Sequence, residues 1–253
     1  MIRFLLAALI AAVSVFGQNK IELLIITGNH VGSHDWRTTT AEIQKILDET
    51  GRFNVHVTEN FSGATLETLK PYDVVLLNYR SPKPDNRWPA QTEQALMDWV
   101  RSGKGIVIYH FALSAFEGWE DFEKMATATW RPNNGQHSPR HDFQVTIVDP
   151  SHPIVQGMGN GFSIVDDELY NNLKTIEPEQ RHVIATANDD PDLYKDKLRV
   201  LFDEDRIAPM LWIRQWGKGR VFVTALGHDV KAMQNAGFRK TLARGAEWAA
   251  TGK

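Results

Sequence analysis

The chain has 253 residues, of which 42% are hydrophobic, 23% are charged and none is cysteine, and its formal net charge is −3. These values are ordinary for a globular protein, and they exclude a disordered chain, a disulfide scaffold, cysteine-ligated metal sites and a thiol nucleophile. The slightly acidic balance argues against nucleic-acid binding, which normally requires a basic surface.

The N-terminus has the parts of a secretory signal peptide, residues 1–17. Arg3 supplies the basic start, and residues 4–16 form an apolar run that is too short to span a bilayer comfortably. We therefore expect cleavage after Gly17, export to the periplasm or the medium, and one mature domain, residues 18–253, with no membrane contact. A buried N-terminal helix is the alternative.

The first half of the mature chain alternates apolar runs with amphipathic segments. Nearly continuous apolar runs predict buried strands at 21–26, 72–77 and 104–109, and an alternating run predicts a strand at 53–57. The helices between them carry apolar residues at helical spacing, namely Ile43, Ile46 and Leu47 before Gly51, and Ala95, Leu96, Trp99 and Val100 between Pro89 and Gly103. This alternation indicates βαβ units and a mostly parallel sheet with helices on both faces.

The second half is less regular. Residues 128–142 are rich in Asn, Pro, Gly and His and predict a long loop. Strands are predicted at 143–148, 181–187, 209–213 and 220–225, followed by a last helix at about 233–250. No composition break or internal repeat divides the mature chain.

Histidines follow three of the predicted strands. His30 and His34 come after the first strand, His110 directly after the third buried strand, and His228 after the strand at 220–225. In open parallel sheets the ligand crevice lies at the carboxyl ends of the strands, so these side chains are expected at one edge. Histidine exchanges protons near neutral pH, which predicts acid–base or ligand-binding chemistry there. The alternative is that each histidine only caps a helix or satisfies a turn.

A second candidate group is the acidic run 166–170, DDELY. Neighbouring carboxylates repel one another, so such a run is either solvated or held by specific partners. In the functional interpretation, Asp167 or Glu168 orients a histidine or acts as a general base.

Two histidine pairs, His30/His34 and His137/His141, have the spacing of zinc ligands on a helix. Both pairs fall in loops that contain Gly or Pro, so the helical argument fails. We expect no cofactor and no metal, and a divalent ion is the less favoured alternative. Some of the tryptophans also fall in or beside loops, where a ring can stack on a sugar: Trp36, Trp119 and Trp130.

An ordered set of motifs carries a family resemblance. These are LLIITGNHVGSHDWRTTT, YDVVLLNY, SGKGIVIYHFA, HSPRHDFQVTIVDPSHPI, DDELY, WGKGRVFVTALGH and GAEWAA. In order and spacing the chain resembles the ThuA-like, or trehalose-utilisation, family of the class I glutamine-amidotransferase-like superfamily over residues 21–250.

The resemblance implies a flavodoxin-like, three-layer α/β sandwich and a link to sugar catabolism, including pathways that handle 3-keto-glycosides. Related amidotransferases carry a cysteine nucleophile after the strand that corresponds to 105–109. Tyr109, His110 and Phe111 stand there in this chain, which excludes cysteine-dependent glutamine hydrolysis. The motif positions carried over are His34, Asp35, His110, His141, Asp167, Glu168, Tyr170 and His228.

Together these observations predict an exported hydrolase or lyase that acts on a glycoside or keto-sugar derivative by histidine–carboxylate chemistry. The expected catalytic residues are His110, His228, Asp167 and Glu168. The expected substrate-binding residues are His30, His34, Asp35, Trp36, His141 and Tyr170. The expected partner is a small carbohydrate, and the oligomeric state stays open. The alternatives are a non-catalytic periplasmic sugar-binding protein and a metal-dependent hydrolase.

Overall fold

A computed structural model describes residues 19–29, 31–81, 86–194 and 206–253. The predicted signal peptide and His30 lie outside the described residues. Within these ranges, none of the helices combines the length and apolarity that crossing a bilayer requires.

The strands, in chain order, are β1 (Ile21–Ile26), β2 (Phe53–Thr58), β3 (Val74–Leu77), β4 (Gly105–Tyr109), β5 (Ala128–Thr129), β6 (Gln136–His137), β7 (His141–Ile147), β8 (Gly161–Asp167), β9 (Tyr170–Asn171), β10 (Lys174–Thr175), β11 (His182–Asn188), β12 (Ile207–Trp216) and β13 (Gly219–Thr224). The α-helices are α1 (Trp36–Asp48), α2 (Leu66–Leu69), α3 (Ala90–Arg101), α4 (Glu120–Ala126) and α5 (Ala236–Thr251). Short 3-10 helices lie at His110–Ser114, Pro178–Gln180, Pro191–Leu193 and Ala232–Gln234.

Nine of these strands form one mixed sheet in the order β2-β1-β3-β4-β13-β12-β11-β7-β8. The first five, which we call the parallel half, pair in parallel throughout. Strands β1, β3 and β4 are apolar and almost fully buried, as expected for strands covered on both faces. Helix α1 contacts α5, and α2 contacts α3. The prediction of an α/β sandwich whose central sheet is mostly parallel is confirmed.

Helix α5 lies very close to the parallel half because Gly105 has no side chain. A Cβ atom at Gly105 would lie 2.4 Å from the backbone carbonyl of Ala249 in α5. This close approach fixes α5 over β4 and β13.

The other four strands, β12, β11, β7 and β8, each pair antiparallel with their neighbour, and we call them the antiparallel half. In a flat sheet, four strand spacings would separate β8 from β13 by about 19 Å. Instead, the Asp167 carboxylate at the end of β8 accepts hydrogen bonds from the backbone of Gly227 and His228, just after β13. The antiparallel half therefore bends back until its last strand reaches the carboxyl edge of the parallel half.

The less regular part of the chain differs from its predicted outline in detail. The strand predicted at 143–148 begins two residues earlier, at His141, and the strand predicted at 209–213 extends over Ile207–Trp216. The predicted loop at 128–142 contains β5 and β6, which pair with β10 and β9 in two-stranded ladders. These pairings join segments far apart in sequence, which is why local patterns did not reveal them.

Candidate active site

Three histidines from the parallel half lie side by side at its carboxyl edge. His34 lies between β1 and α1, His110 directly follows β4, and His228 follows β13. The ring centroid of His34 is 4.6 Å from that of His228 and 5.2 Å from that of His110. The structure thus brings together the histidines that the sequence placed at the ends of different strands.

The antiparallel half adds Glu168 to this group. Its Oε1 atom lies 3.4 Å from Nε2 of His228 and 3.4 Å from Nδ1 of His137, and its Oε2 atom lies 3.9 Å from Nε2 of His110. We call His34, His110, His137, His228 and Glu168 the histidine–glutamate cluster. It joins residues from both halves of the sheet around one carboxylate.

His110 is held in an unusual conformation. Its backbone φ is +40°, which is uncommon for a residue with a side chain, and its side chain is completely buried. Nδ1 lies 2.8 Å from the carbonyl oxygen of Ala225, so it carries the proton and donates. The neutral ring therefore presents a lone pair at Nε2, which has no hydrogen-bond partner. Backbone conformations of this kind cluster at active sites and ligand clamps.

Burial sets the protonation of the cluster. It lowers the pKa of His34 to about 4, helped by the neighbouring His228, and it lowers the pKa values of His110 and His228. Burial also raises the pKa of Glu168, which His137 and Arg140 oppose. The three histidines are therefore neutral near pH 7, where they accept protons or bind metal ions and do not act as cations.

Asp167 anchors the backbone around the cluster, and its catalytic role stays a prediction from the sequence. It is completely buried, and its oxygens accept hydrogen bonds from the backbone N–H groups of Glu168, Gly227 and His228 at 2.7–2.9 Å. Burial raises the pKa of Asp167, and these donors limit the rise. Because its carboxylate is occupied in this way, Asp167 fixes Glu168 and His228 beside each other.

Aromatic and hydroxyl side chains form the wall of the cluster. The Tyr170 hydroxyl lies 3.4 Å from Nε2 of His34, and the ring of Tyr170 lies 4.2 Å from that of His110. Burial raises the pKa of Tyr170 well above its ordinary value, so the hydroxyl keeps its proton. Ser33 Oγ lies 3.3 Å from Nε2 of His228. Trp130, partly buried, packs 5.0 Å from Tyr170.

Three predicted binding residues make their contacts outside the histidine–glutamate cluster. Asp35 is the N-cap of α1, where its carboxylate accepts the Arg37 N–H, and Trp36 is 4% exposed in the hydrophobic core. His141 bonds through Nδ1 to Pro139 and Ser138, and its ring packs on Phe143. The structure gives these residues capping and packing contacts, and their contacts with a ligand stay predictions from the sequence.

Sequence reasoning missed His137 as a site residue. The sequence indicates this histidine only as half of a loop pair with His141, and the pairing of β6 with β9 is what places His137 beside Glu168. Trp119, another predicted sugar-stacking residue, packs instead against Phe116 and Phe122.

A cavity of about 280 Å³ borders the cluster at Tyr170. Its lining combines Asn171, Arg181 and Asp189 with the ring of Trp212. Polar groups beside an aromatic ring are the usual composition of a site for a polar organic ligand.

The family model for ThuA, trehalose utilisation, matches residues 22–249. The chain belongs to the ThuA family. Membership supports a role in sugar catabolism. We found no match to the chain among curated proteins.

Solved structures agree with this assignment. A ThuA-like protein from Parabacteroides merdae is 29% identical, with a TM-score of 0.76 over 93% of this chain and 91% of the other. A ThuA-like protein from Bacteroides uniformis is 18% identical, with a TM-score of 0.69 over 90% and 91%. A β-galactosidase from Rahnella sp. R3 matches 89% of this chain with 31% of its own, at 15% identity and a TM-score of 0.54. The last two likenesses show the fold alone.

Proposed function

We propose that this ThuA-family protein is an exported enzyme that cleaves a keto-sugar glycoside by acid–base chemistry at the histidine–glutamate cluster. The observation that carries the proposal is the convergence of His34, His110 and His228 on Glu168, a carboxylate that is only 7% exposed. A buried, hydrogen-bonded group of titratable side chains with displaced pKa values is typical of catalytic sites.

Cleavage of a keto-glycoside by elimination suits these side chains. A base removes the proton from the carbon between the ketone and the anomeric carbon, and the electrons of that C–H bond form an enolate. The enolate then collapses to a carbon–carbon double bond, which breaks the glycosidic C–O bond. The departing oxygen takes a proton from an acid. The reaction needs a base, a group that stabilises the enolate oxygen, and a proton donor.

His228 is the best placed base. The neutral ring that its lowered pKa provides accepts a proton, and Glu168, 3.4 Å away, stabilises the imidazolium that results. Tyr170, whose hydroxyl keeps its proton, is the best placed donor to the leaving oxygen. His110 is not a donor in its neutral form, because its N–H is committed to the Ala225 carbonyl.

Export belongs to the proposal through the sequence of residues 1–17, which has the order of a signal peptide. N-terminal sequencing of the protein from its native host would test it. We expect the first residue to be Gln18, and a protein that keeps Met1 and stays in the cytoplasm would contradict export.

Product analysis tests the chemistry. The protein is incubated with p-nitrophenyl glucosides and with the same glucosides oxidised at carbon 3, and released nitrophenol is followed. We expect release from the keto-glucosides, and loss of that release in His228→Asn. Saturable sugar binding with no release from any substrate would contradict the proposal and indicate a binding protein.

A further inference from the structure

The geometry of the cluster leaves one feature unexplained by acid–base chemistry. The Nε2 lone pair of the neutral His110 ring faces the Glu168 Oε2 atom across 3.9 Å, and both atoms are acceptors. Nε2 is buried and lacks a hydrogen-bond partner. Two acceptors that face each other in a buried space repel unless something positive lies between them.

We propose that His34, His110 and Glu168 bind a divalent transition-metal ion, for which Zn²⁺ is the best match. One donor atom from each of these residues lies within 4.8 Å of the others, and no other such group of three occurs among the residues that the structure describes. Two imidazoles and one carboxylate, with coordination positions left open, are the ligand set of catalytic zinc sites.

The surroundings of the three ligands support an ion at this place. The second ring nitrogen of His110 is bound to the carbonyl of Ala225, and the ring of His34 contacts the Tyr170 hydroxyl through Nε2 at 3.4 Å. Histidines that ligate metals almost always donate their other N–H to such a partner, which fixes the tautomer and the direction of the ring. The His110 ring is therefore set to accept a cation through Nε2.

Contacts with residues outside the proposed ligand set also orient Glu168. Its Oε1 atom faces His228 and His137, each at 3.4 Å, and this leaves Oε2 for the ion. The backbone N–H of Glu168 is held by Asp167, which in turn is anchored to the loop after β13. The outer contacts thus aim one carboxylate oxygen at the space between the two imidazoles.

The ion would supply a Lewis acid, which the described side chains of the cluster lack. A Lewis acid beside the ketone stabilises the developing enolate oxygen, while His228, which is not a ligand, stays free to take the proton. The chemistry served by the ion rests on the proposed function, but the binding site rests on geometry alone and is tested without a substrate.

The test is a calorimetric titration of Zn²⁺ into the chelator-treated, untagged protein, because a polyhistidine tag would bind the same ion. We expect one saturable equivalent. His34→Asn and Glu168→Gln should each weaken binding by more than the ~10–100-fold that the loss of an outer contact causes. His34 is partly exposed and lies outside helices and strands, so its variant is expected to fold even if the Glu168 variant does not.

His182→Asn is the matched control. His182 lies 2.8 Å from Asp149 on the surface, and among the described residues this pair has no third metal-ligating atom within 4.8 Å, so its variant should keep the one equivalent. The visible absorption spectrum of bound Co²⁺ reports whether the ion has nitrogen ligands and a low coordination number. Absence of a saturable equivalent, or equal binding in wild type, His34→Asn and Glu168→Gln, would overturn the proposal.

The outcomes separate the two proposals. A protein that binds one equivalent but cleaves no keto-glycoside keeps the metal site and loses the proposed substrate. A protein that cleaves keto-glycosides but binds no saturable equivalent of Zn²⁺ keeps the proposed function and loses the metal site.

Discussion

The two halves of the sheet contribute different chemistry to one site. The parallel half delivers three imidazoles from the ends of its strands, whereas the antiparallel half delivers Glu168 and Tyr170 from the segment after β8. Neither half holds a complete set of acid, base and orienting groups. The site therefore depends on the bend of the sheet that brings β8 back to β13.

The two halves also differ in how they are held. The parallel half is a buried apolar layer, with β4 buried at each of its residues. The halves are joined by the ladder between β12 and β13, and the junction where the end of β8 meets the loop after β13 is made instead by polar contacts. Asp167 bonds the loop after β13, and Arg140 joins Asp229 of that loop to Asp166, with an N–O distance of 2.6 Å to Asp229. Polar contacts of this kind specify one arrangement, and removing one partner destabilises it strongly because the other partner is left buried without a hydrogen bond.

The largest expected effect is on catalysis at the point where the halves meet. His228→Asn removes the proposed base, and we expect keto-glycoside cleavage to fall by about 10²–10⁴-fold, the usual contribution of a positioned acid–base group. Steady-state kinetics measures the change. His182→Asn, a histidine outside the cluster, should keep the wild-type rate. Equal rates in wild type and His228→Asn would place the chemistry elsewhere.

The next largest effect is on the junction itself. Asp167→Ala leaves three buried backbone N–H groups without an acceptor, each worth about 1–3 kcal/mol, so the free energy of unfolding should fall by about 3 kcal/mol or more. Asp167→Asn keeps one acceptor oxygen and should lose less. Urea unfolding measures both, and an Asp167→Ala protein as stable as wild type would show that the junction is held by other contacts.

The sequence was informative about the parallel half for a physical reason. Its strands are local apolar runs, and parallel strands present their carboxyl ends at one edge, so His34, His110 and His228 could be predicted to converge. The positions of Glu168 and His137 depend on strand pairings across the antiparallel half and on the bend of the sheet. Such long-range contacts leave no local pattern, so the role of Asp167 as an anchor and the inclusion of His137 emerged only from the structure.

A smaller effect is expected within the parallel half. Gly105→Ala would bring a Cβ atom against the backbone of Ala249, which cannot move without shifting α5. We expect a loss of about 1–3 kcal/mol in the free energy of unfolding, the usual cost of overpacking. The rate per folded molecule should change little, since Gly105 is at the amino end of β4 and the cluster is at its carboxyl end. A Gly105→Ala variant that is stable but has lost its activity would contradict this separation between the packing of α5 and the cluster.

The smallest effect concerns pH and His152, in the connection between β7 and β8. Burial lowers the pKa of His152 from 6.5, while Asp149 raises it and His182 lowers it, and Nδ1 accepts the N–H of Ile154. The unfolded chain therefore binds a proton at His152 more readily than the folded protein does. The neutral, buried His152 makes its full contribution to stability above about pH 6.5, and this contribution is lost as the pH falls through the lowered pKa. His152→Asn should flatten this decline in urea unfolding between pH 7 and 5. An unchanged dependence of the free energy of unfolding on pH in His152→Asn would contradict this role of His152.

Proton exchange at a substrate carbon tests most directly the claim that the two halves form one catalytic site. The substrate analogue is a 3-keto sugar with no leaving group at the anomeric carbon, dissolved in D₂O and followed by proton NMR. We expect wild type to exchange the C–H between the ketone and the anomeric carbon, and Glu168→Gln to slow this exchange by about 100-fold or more. Glu179→Gln, at an exposed site, should exchange at the wild-type rate. Exchange at the wild-type rate in Glu168→Gln would contradict the account.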